Sequence, residues 1–333
     1  MLLMLGDRTQ SSEVTAWRQF WTGRRPGDEH RYRDPRVAEV LDAHWSRYFS
    51  DRIGEGRVSS LLDLACGEGE VLRFAEQVFS RSADDLPKAI CCDVAPSAAL
   101  MAAGALNALP VAADSSALPF ADAAVSCAVS QYGLEYAGQE AFSEAARVVD
   151  EGGHLHALVH CSGGVVEAAC ADVAALLSTV VDSSLFGRMA DYAENIPLAA
   201  AGQVSDARAR ECVDKLRAAL DAVGEALAVA SHGPAREHVA RLVADCRTLA
   251  GRLGHFAPAD VTTWIGTQKS DIEAFHHRMM SMLDVAQSED DMRSIVERLD
   301  AAGLTVSPLS VLEAPGRGGA LAWVVDARRS DAC

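Results

Sequence analysis

One stretch near residue 65 constrains the fold more than any other part of the chain. The apolar run Leu61–Leu64 contains Asp63, the following turn contains Gly67 and Gly69, and apolar residues then recur at helical spacing to about Val78. A strand, a tight glycine turn and a helix in this order open an α/β nucleotide-binding unit. Glycines in such a turn tolerate positive φ and let a ligand approach the backbone. The sequence therefore predicts an α/β fold with a ligand at this turn.

The residues around the glycines indicate which kind of ligand the turn binds. A phosphate loop would end in Gly-Lys-Ser/Thr, but no lysine is present, and a dinucleotide site would have a third glycine where Leu72 stands. Glu68 and Glu70 place carboxylates at the helix N-terminus, where phosphate groups would otherwise lie. This arrangement favours a ligand with positive charge. The acidic glycine turn resembles motif I of the class I S-adenosylmethionine-dependent methyltransferases, whose cofactor carries a sulfonium, an ammonium and no phosphate.

Further landmarks extend this resemblance over about two thirds of the chain. Two predicted strands end in the acids Asp93 and Asp114, as in the family. Residues 118–126 are similar to the family's L-P-F-x-D-x-x-F-D stretch, residues 130–136 stand where its active-site loop begins, and residues 145–153 are similar to its R-V-L-K-P-G-G stretch. Ser126 departs from the family by replacing an aspartate, and Asp150-Glu151 replaces Lys-Pro.

The resemblance implies a fold, a cofactor and a set of binding residues. The expected fold is a doubly wound, mostly parallel, seven-stranded, Rossmann-like sheet with an inserted α-helical cap. S-adenosylmethionine would bind, leaving S-adenosylhomocysteine as product, with Asp93 on the ribose hydroxyls and Asp114 on the adenine amino group. The cofactor-binding residues predicted are Asp63, Ala65, Cys66, Gly67, Glu68, Gly69, Asp93, Val94, Asp114, Ser115, Ser130, Gln131, Trp21 and Arg33.

Composition and charge exclude several partners. Lys and Arg number 30 against 47 Asp and Glu, a net charge of −17. A surface of this charge repels phosphate backbones and anionic membranes, so neither nucleic acid nor a membrane is expected as partner. The nine cysteines include no Cys-x-x-Cys pair, which indicates a reducing, cytoplasmic location. The N-terminal Met-Leu-Leu-Met-Leu run is too short to span a membrane and lacks the basic residues of a signal peptide.

Residues 1–58 are predicted to form a helical arm ahead of the sheet. Asp34-Pro35 is a suitable N-cap and first-turn pair for a helix that runs to about residue 50. The aromatic segment Trp17–Arg25 has two interpretations. It either docks the arm on the core, or lies across the cofactor as a lid, with Arg24, Arg25 or Arg33 reaching the methionine carboxylate.

Residues 165–285 are predicted to be an inserted subdomain, and residues 59–164 with 286–333 to be the cofactor-binding core. At least three amphipathic helices follow one another in the insertion, which indicates a small bundle. The last two strands of the core are expected at Leu304–Leu312 and Ala320–Asp326. The insertion is interpreted as a cap over a small-molecule substrate. The alternatives left open are a homodimer interface in a cofactor-binding scaffold without turnover, and a grip on a polypeptide in a protein methyltransferase.

Methyl transfer from a sulfonium needs alignment, a dry site and, for some acceptors, a base. The candidate catalytic residues are Glu135, Tyr132 and His160, which follow the fourth and fifth strands, and three histidines of the insertion, His255, His276 and His277. His154 and His156 alternate along the fifth strand, but no carboxylate partner is identifiable, and no metal is expected. The sequence thus predicts a methyltransferase that acts on a small organic molecule, at oxygen first, then at nitrogen or carbon.

Overall fold

The computed structural model describes residues 12–22, 35–55, 58–82, 87–316 and 318–331 of the chain. Two compact units are present. The first combines Met1–Ala168 with Ser281–Cys333, and the second is Ala169–Met280.

A single eight-stranded sheet forms the centre of the first unit. The strand order is β3-β2-β1-β4-β5-β8-β6, and β7 pairs with β8 beside this path. Five strands, β1 to β5, are parallel, and β6, β7 and β8 are antiparallel to their neighbours. The strands are β1 (Ser60–Leu64), β2 (Lys88–Asp93), β3 (Leu109–Ala112), β4 (Val125–Gln131), β5 (Val149–Val159), β6 (Leu304–Val306), β7 (Ser310–Glu313) and β8 (Ala320–Arg329).

The strand order reverses at β1, which has β2 on one side and β4 on the other. In an open parallel sheet the ligand crevice lies at the carboxyl ends of the strands beside such a reversal. β1, β2 and β4 end at Leu64, Asp93 and Gln131, and β5 ends at Val159. The sheet topology therefore brings the predicted cofactor and catalytic residues to one edge.

The C-terminal part of the sheet differs from the prediction. Leu304–Leu312 is two short strands, β6 and β7, so the sheet has eight strands where seven were expected. Pro308 lies between them, and because proline has no N–H it cannot continue the pairing with β8.

Helices cover both faces of this sheet. They are α1 (Ser12–Trp21), α2 (Pro35–Glu55), α3 (Glu70–Arg81), α4 (Pro96–Leu106), α5 (Gln139–Val148) and α11 (Glu289–Ala301), with a 3-10 helix at Leu134–Ala137. The predicted start of α11 is confirmed, because Ser288 and Asp291 form a reciprocal capping box. Helix α2 continues to Glu55, beyond the predicted end near residue 50.

Alternation along the strands gives the sheet one apolar core on each face. Phe142 of α5 and Ile295 of α11 pack on one face, and Trp45 and Phe49 of α2 pack with α3 on the other. Burying a side chain of this size stabilises a fold by roughly 1.5–3 kcal/mol. Ser126, at the family's aspartate position, links β4 to β1 instead, because its hydroxyl accepts hydrogen bonds from the Ser59 and Ser60 N–H groups and donates one to the Ser60 carbonyl.

The second unit is helical throughout its described length. Its helices are α6 (Val165–Asp182), α7 (Leu185–Ala200), α8 (Asp206–Val229), α9 (Pro234–Gly251) and α10 (Pro258–Val285), with a short 3-10 turn at Leu253–His255. Leucine, valine and isoleucine side chains from all five α-helices form its core. The predicted stop and restart at Gly233-Pro234 is confirmed, with Gly233 as N-cap of α9. No helix in the described residues has the length and apolar character that crossing a membrane requires.

Candidate functional site

The glycine turn between β1 and α3 is held in a strained, open conformation. Ala65, Gly67 and Gly69 have φ values of 52°, 52° and 79°, in the left-handed region that favours glycine. The Cys66 N–H donates to the Cys92 carbonyl at 3.0 Å, so the turn is hydrogen-bonded to the end of β2. A Cβ on Gly67 would lie 2.9 Å from the Trp21 ring. Only glycine at position 67 therefore leaves room for the Trp21 ring to lie this close to the turn.

Asp93, at the end of β2, braces the turn from the other side. Its Oδ2 accepts a hydrogen bond from the Gly67 N–H at 3.0 Å, and its Oδ1 accepts one from the Ala95 N–H at 2.8 Å. Burial raises the pKa of Asp93 to about 6, against the opposing effect of the two backbone hydrogen bonds. A carboxylate has about four acceptor positions, so both oxygens retain capacity for the ribose hydroxyls. This bracing role had no signal in the sequence.

Asp63 lies buried near the end of β1, and its Oδ2 makes no hydrogen bond within the described residues. Burial and the charges of Cys91 and Asp93 raise its pKa well above the usual value. A positively charged ligand beside Asp63 and Asp93 would offset both the burial and the mutual repulsion. The buried unpaired carboxylate oxygen and the open glycine turn therefore fit S-adenosylmethionine, which carries two positive groups.

Two other predicted cofactor residues have protein partners of their own. The Glu68 carboxylate is buried against Arg73, with 3.2 Å between its Oε1 and the arginine Nη2. The Oδ1 of Asp114 accepts hydrogen bonds from the Ser116 N–H at 2.8 Å and from its hydroxyl at 2.7 Å. Ser115 is buried beside it. Glu68 thus fixes the first turn of α3, while both hydrogen bonds to Asp114 found within the described residues go to its Oδ1.

Ser130 and Gln131 connect the end of β4 to its neighbours. The fully buried Ser130 hydroxyl donates to the Leu64 carbonyl at 2.9 Å. Gln131 accepts a hydrogen bond from Trp45 Nε1 at 2.6 Å and donates one to Glu70 Oε2 at 2.8 Å. The chain Trp45–Gln131–Glu70 therefore orients a carboxylate in the first turn of α3. Sequence reasoning missed Trp45 and Glu70 as members of this network.

Helix α1 lies against the glycine turn and the loop after β2. Trp21 is buried and packs with Ala95 and Ala98, and Arg18 Nε donates to the Val94 carbonyl at 3.3 Å. The described part of the aromatic segment, residues 17–22, is thus docked on the core beside the glycine turn, and its role as a lid over the cofactor stays a prediction. Arg24, Arg25 and Arg33, predicted to reach the methionine carboxylate, lie outside the described residues.

The three predicted catalytic residues are brought together beyond the ends of β4 and β5. Glu135 Oε1 accepts hydrogen bonds from His160 Nδ1 at 2.7 Å and from the His160 backbone N–H at 3.0 Å. The Tyr132 ring lies over His160 at 4.5 Å between ring centroids. Tyr132 has a left-handed φ of 57°, and its hydroxyl donates to the Leu321 carbonyl at 3.2 Å. Tyr132 therefore contacts the imidazole through its ring.

The Glu135–His160 pair has the arrangement of an oriented general base. Because Nδ1 donates to the buried carboxylate, the neutral imidazole carries its lone pair on Nε2. Within the described residues no hydrogen bond to Nε2 is found. The buried Oε2 of Glu135 likewise makes no hydrogen bond in the part of the chain that the structure describes. His160 can therefore take a proton at Nε2 from a molecule placed at this edge.

The catalytic loop touches the cofactor turn. Gly133 lies so close to Ala65 that a Cβ added to it would stand 2.3 Å from the Ala65 Cβ. The 3-10 helix Leu134–Ala137, which carries Glu135, begins at the next residue. The candidate base and the glycine turn are thus parts of one continuous site.

Of the remaining histidines, His154, His156 and His276 have structural partners, whereas the buried Nε2 of His277 makes no hydrogen bond within the described residues. His154 accepts from Arg52 Nη1 at 2.7 Å, and His156 is hydrogen-bonded to His44 at 2.9 Å and to Asp326 at 3.1 Å. In the helical unit, His276 Nε2 is hydrogen-bonded to the Ser178 hydroxyl at 2.8 Å, whereas His255 is exposed. The described part of the chain contains no cluster of three or more His, Cys, Asp or Glu side chains suited to a metal ion.

The central segment of the chain is similar to a known protein family. Residues 62–157 match a family model described as a methyltransferase domain. No match to the sequence is found among curated proteins.

Solved structures that align with the chain include three methyltransferases. A geranyl diphosphate C-methyltransferase from Streptomyces coelicolor is 17 % identical, over 46 % of this chain and 66 % of that one, with a TM-score of 0.35. A methyltransferase dependent on S-adenosylmethionine from Aquifex aeolicus is 14 % identical over 34 % and 64 %, with a TM-score of 0.28. One from Mesorhizobium loti is 20 % identical over 31 % and 46 %, with a TM-score of 0.27. The chain spans about half the length of the first solved structures that it matches.

Proposed function

We propose that this chain, which contains a class I S-adenosylmethionine-dependent methyltransferase domain at residues 62–157, transfers a methyl group to a small organic acceptor. The observation that carries the proposal is the contact between Gly133 and Ala65, which joins the loop of the Glu135–His160 pair to the glycine turn. A methyl donor in the turn and a nucleophile at His160 would then be neighbours. Proximity of this kind supplies a large part of the catalysis of displacement reactions.

The bound cofactor supplies an electrophilic methyl group, and the chain's own residues do the rest. Asp63 and Asp93 bind its positively charged and hydroxyl groups at the ends of β1 and β2. His160 receives the acceptor's proton at Nε2, and Glu135 fixes the imidazole in the tautomer that can do so. The buried surroundings of Glu135 and His160 exclude water from this pair.

Oxygen is the first choice of nucleophile, because an oriented base is most useful for an acceptor that must lose a proton. Three further expectations stay predictions: that the helical segment caps the substrate, that it forms a homodimer interface, and that the acceptor is a polypeptide. The purified full chain can be used to test each of them.

The direct test is calorimetric titration of the purified full chain with S-adenosylmethionine and S-adenosylhomocysteine. We expect both to bind in the micromolar range, about −8 kcal/mol. Asp93→Asn should weaken both by about tenfold or more, because the asparagine NH₂ would oppose a backbone N–H that Asp93 now accepts. Asp221→Asn, an exposed acid of the helical unit, is the matched control and should bind like the wild type. Absence of binding to the wild type would refute the proposal and favour the scaffold alternative.

A further inference from the structure

Trp45 of helix α2 is fully buried, and other rings hold its indole in place. The indole stacks on Phe49 at 5.8 Å between ring centroids and meets Tyr48 and His156 edge-on at 5.9 and 5.3 Å. Aromatic neighbours at these distances and angles favour one orientation of a ring. The polar atom of the indole, Nε1, is therefore held towards Gln131, whose Oε1 lies 2.6 Å away.

The chemistry of three side chains sets the direction of the hydrogen bonds that start at this indole. An indole N–H can only donate, and an ionised carboxylate can only accept. The Gln131 amide lies between Trp45 and Glu70, so it accepts at Oε1 and donates from Nε2, at 2.6 and 2.8 Å. The indole thus holds the amide in the one orientation that directs its NH₂ group to Glu70. Without the indole N–H, the amide would be held at one end only.

Gln131 and Glu70 belong to two elements that meet at the glycine turn. Gln131 is the last residue of β4, and Glu70 is the first residue of α3, directly after Gly69. Because Gly69 has no side chain, the N-cap of α3 makes no side-chain hydrogen bond to the helix. The bond from Gln131 to Glu70 ties this end of the turn to β4, while Asp93 of β2 braces the turn at Gly67.

We infer that Trp45 is a positioning residue for the cofactor site, which acts on the glycine turn through Gln131 and Glu70. This inference rests on the proposed function and assigns a residue that lies outside the turn. A site that is ordered before its ligand arrives loses less conformational freedom on binding, and therefore binds more tightly. Gln131, expected from the sequence to bind the cofactor, then contributes by holding the turn.

Calorimetric titration of the full chain with S-adenosylhomocysteine tests this role. Trp45→Phe removes the N–H but keeps an aromatic ring, and it should raise the dissociation constant about fivefold, the usual effect of one hydrogen bond. Tyr48→Phe, on the same helix, is the matched control. It removes a hydroxyl that contacts Cys127 Sγ at 3.3 Å, so it should lower the free energy of unfolding and leave the dissociation constant unchanged. Urea unfolding of both variants separates a loss of stability from a loss of affinity.

A double-mutant cycle tests the route through Gln131. Gln131→Met keeps the length of the side chain without its amide, and should weaken binding at least as much as Trp45→Phe does. The double variant should then bind like Gln131→Met alone, because the indole has no amide left to hold. Losses that add in the double variant would show that the two residues act separately, which overturns the inference.

A variant that keeps the whole ring guards against a folding defect. If Trp45→Phe does not fold, benzothienylalanine at position 45 retains the ring packing and has sulfur in place of the indole N–H. It should show the same loss of affinity. Unchanged affinity in the variant that folds overturns the inference and leaves the proposed function intact. Failure of the wild type to bind S-adenosylhomocysteine overturns both.

Discussion

Strand β5 supplies two histidine–carboxylate pairs that look alike and differ in one respect. His156, inside the strand, is paired with Asp326 at 3.1 Å, and His160, just after it, is paired with Glu135 at 2.7 Å. The second nitrogen of His156 is hydrogen-bonded to His44, and Tyr48 stacks on its ring at 4.1 Å. Within the described chain, the second nitrogen of His160 has no such partner. A histidine–carboxylate pair therefore indicates a reactive imidazole only where a ligand, and not another side chain, can bind the second ring nitrogen.

Replacing each histidine in turn tests this difference between His156 and His160 and should give the largest effect. His160→Ala should lower kcat by about 10²–10⁴, the usual contribution of a general base, while the melting temperature changes little. His156→Ala should leave kcat within a few-fold but destabilise the fold by roughly 1–3 kcal/mol, since His44 and Asp326 lose a buried partner. Steady-state kinetics and thermal unfolding distinguish the two, with exposed His232→Ala as control. Equal losses of kcat in both variants would show that the contrast is wrong.

The second prediction concerns acid stability, to which His44, the partner of His156, should contribute. Burial, with the charges of His156 and Arg47, lowers the pKa of His44 to about 4, against the opposing effect of Asp326. His44 therefore contributes stability above about pH 6.5, and that stability is lost as the pH falls towards 4. The loss should amount to about 2 kcal/mol, because the site is partly exposed to solvent.

Urea unfolding at pH 7.5 and pH 5 measures this loss. The variant His44→Gln should flatten the difference between the two pH values, whereas His160→Ala should not. If His44→Gln loses as much unfolding free energy between pH 7.5 and pH 5 as the wild type does, the acid sensitivity comes from other groups.

The third prediction compares the two carboxylates. Glu135→Gln should lower kcat about tenfold with KM and S-adenosylhomocysteine affinity within twofold, because the amide no longer fixes the imidazole tautomer. Asp326→Asn should leave kcat unchanged and reduce only the free energy of unfolding. Initial-rate kinetics over a range of acceptor concentrations test the pair, and a change confined to KM in Glu135→Gln would contradict a positioning role.

The smallest expected effect involves Asp93, the buried carboxylate at the end of β2. Because burial raises the pKa of Asp93 to about 6, cofactor affinity should be constant above that pH and fall below it. If only the ionised form binds, the dissociation constant should rise about tenfold between pH 7 and pH 5. Calorimetric titration across this range gives the midpoint, and a flat profile would show that the protonated carboxyl binds equally well.

The sequence predicted the elements that depend on local pattern. The glycine turn, the acids at the strand ends and the Ser288 cap follow from residue spacing, and the structure contains each of them. The sequence also indicated that Glu135 and His160 follow neighbouring strands, but only as separate candidates. Their pairing depends on how the loop after β4 turns at Tyr132. Tyr132 has a left-handed φ, which the sequence pattern does not predict.

Other features depended on contacts distant in sequence. The Trp45–Gln131–Glu70 chain joins residues of three elements, and the His44–His156 pair spans more than a hundred residues. Ser126 was read only as a departure from the family, although its hydroxyl links two strands. The break at Pro308 was readable from the sequence, since proline cannot pair with a central strand.

The contact between Gly133 and Ala65 has a consequence for how such a site can diversify. A Cβ at residue 133 would stand 2.3 Å from the Ala65 Cβ, so the backbone of Gly133 packs directly on the Ala65 side chain and this contact sets the spacing between the two loops. The ring of Tyr136, which meets His160 edge-on, is not among the groups nearest to Gly133. If the proposed function holds, side chains that contact an acceptor can change without altering the distance between the glycine turn and the loop that carries Glu135.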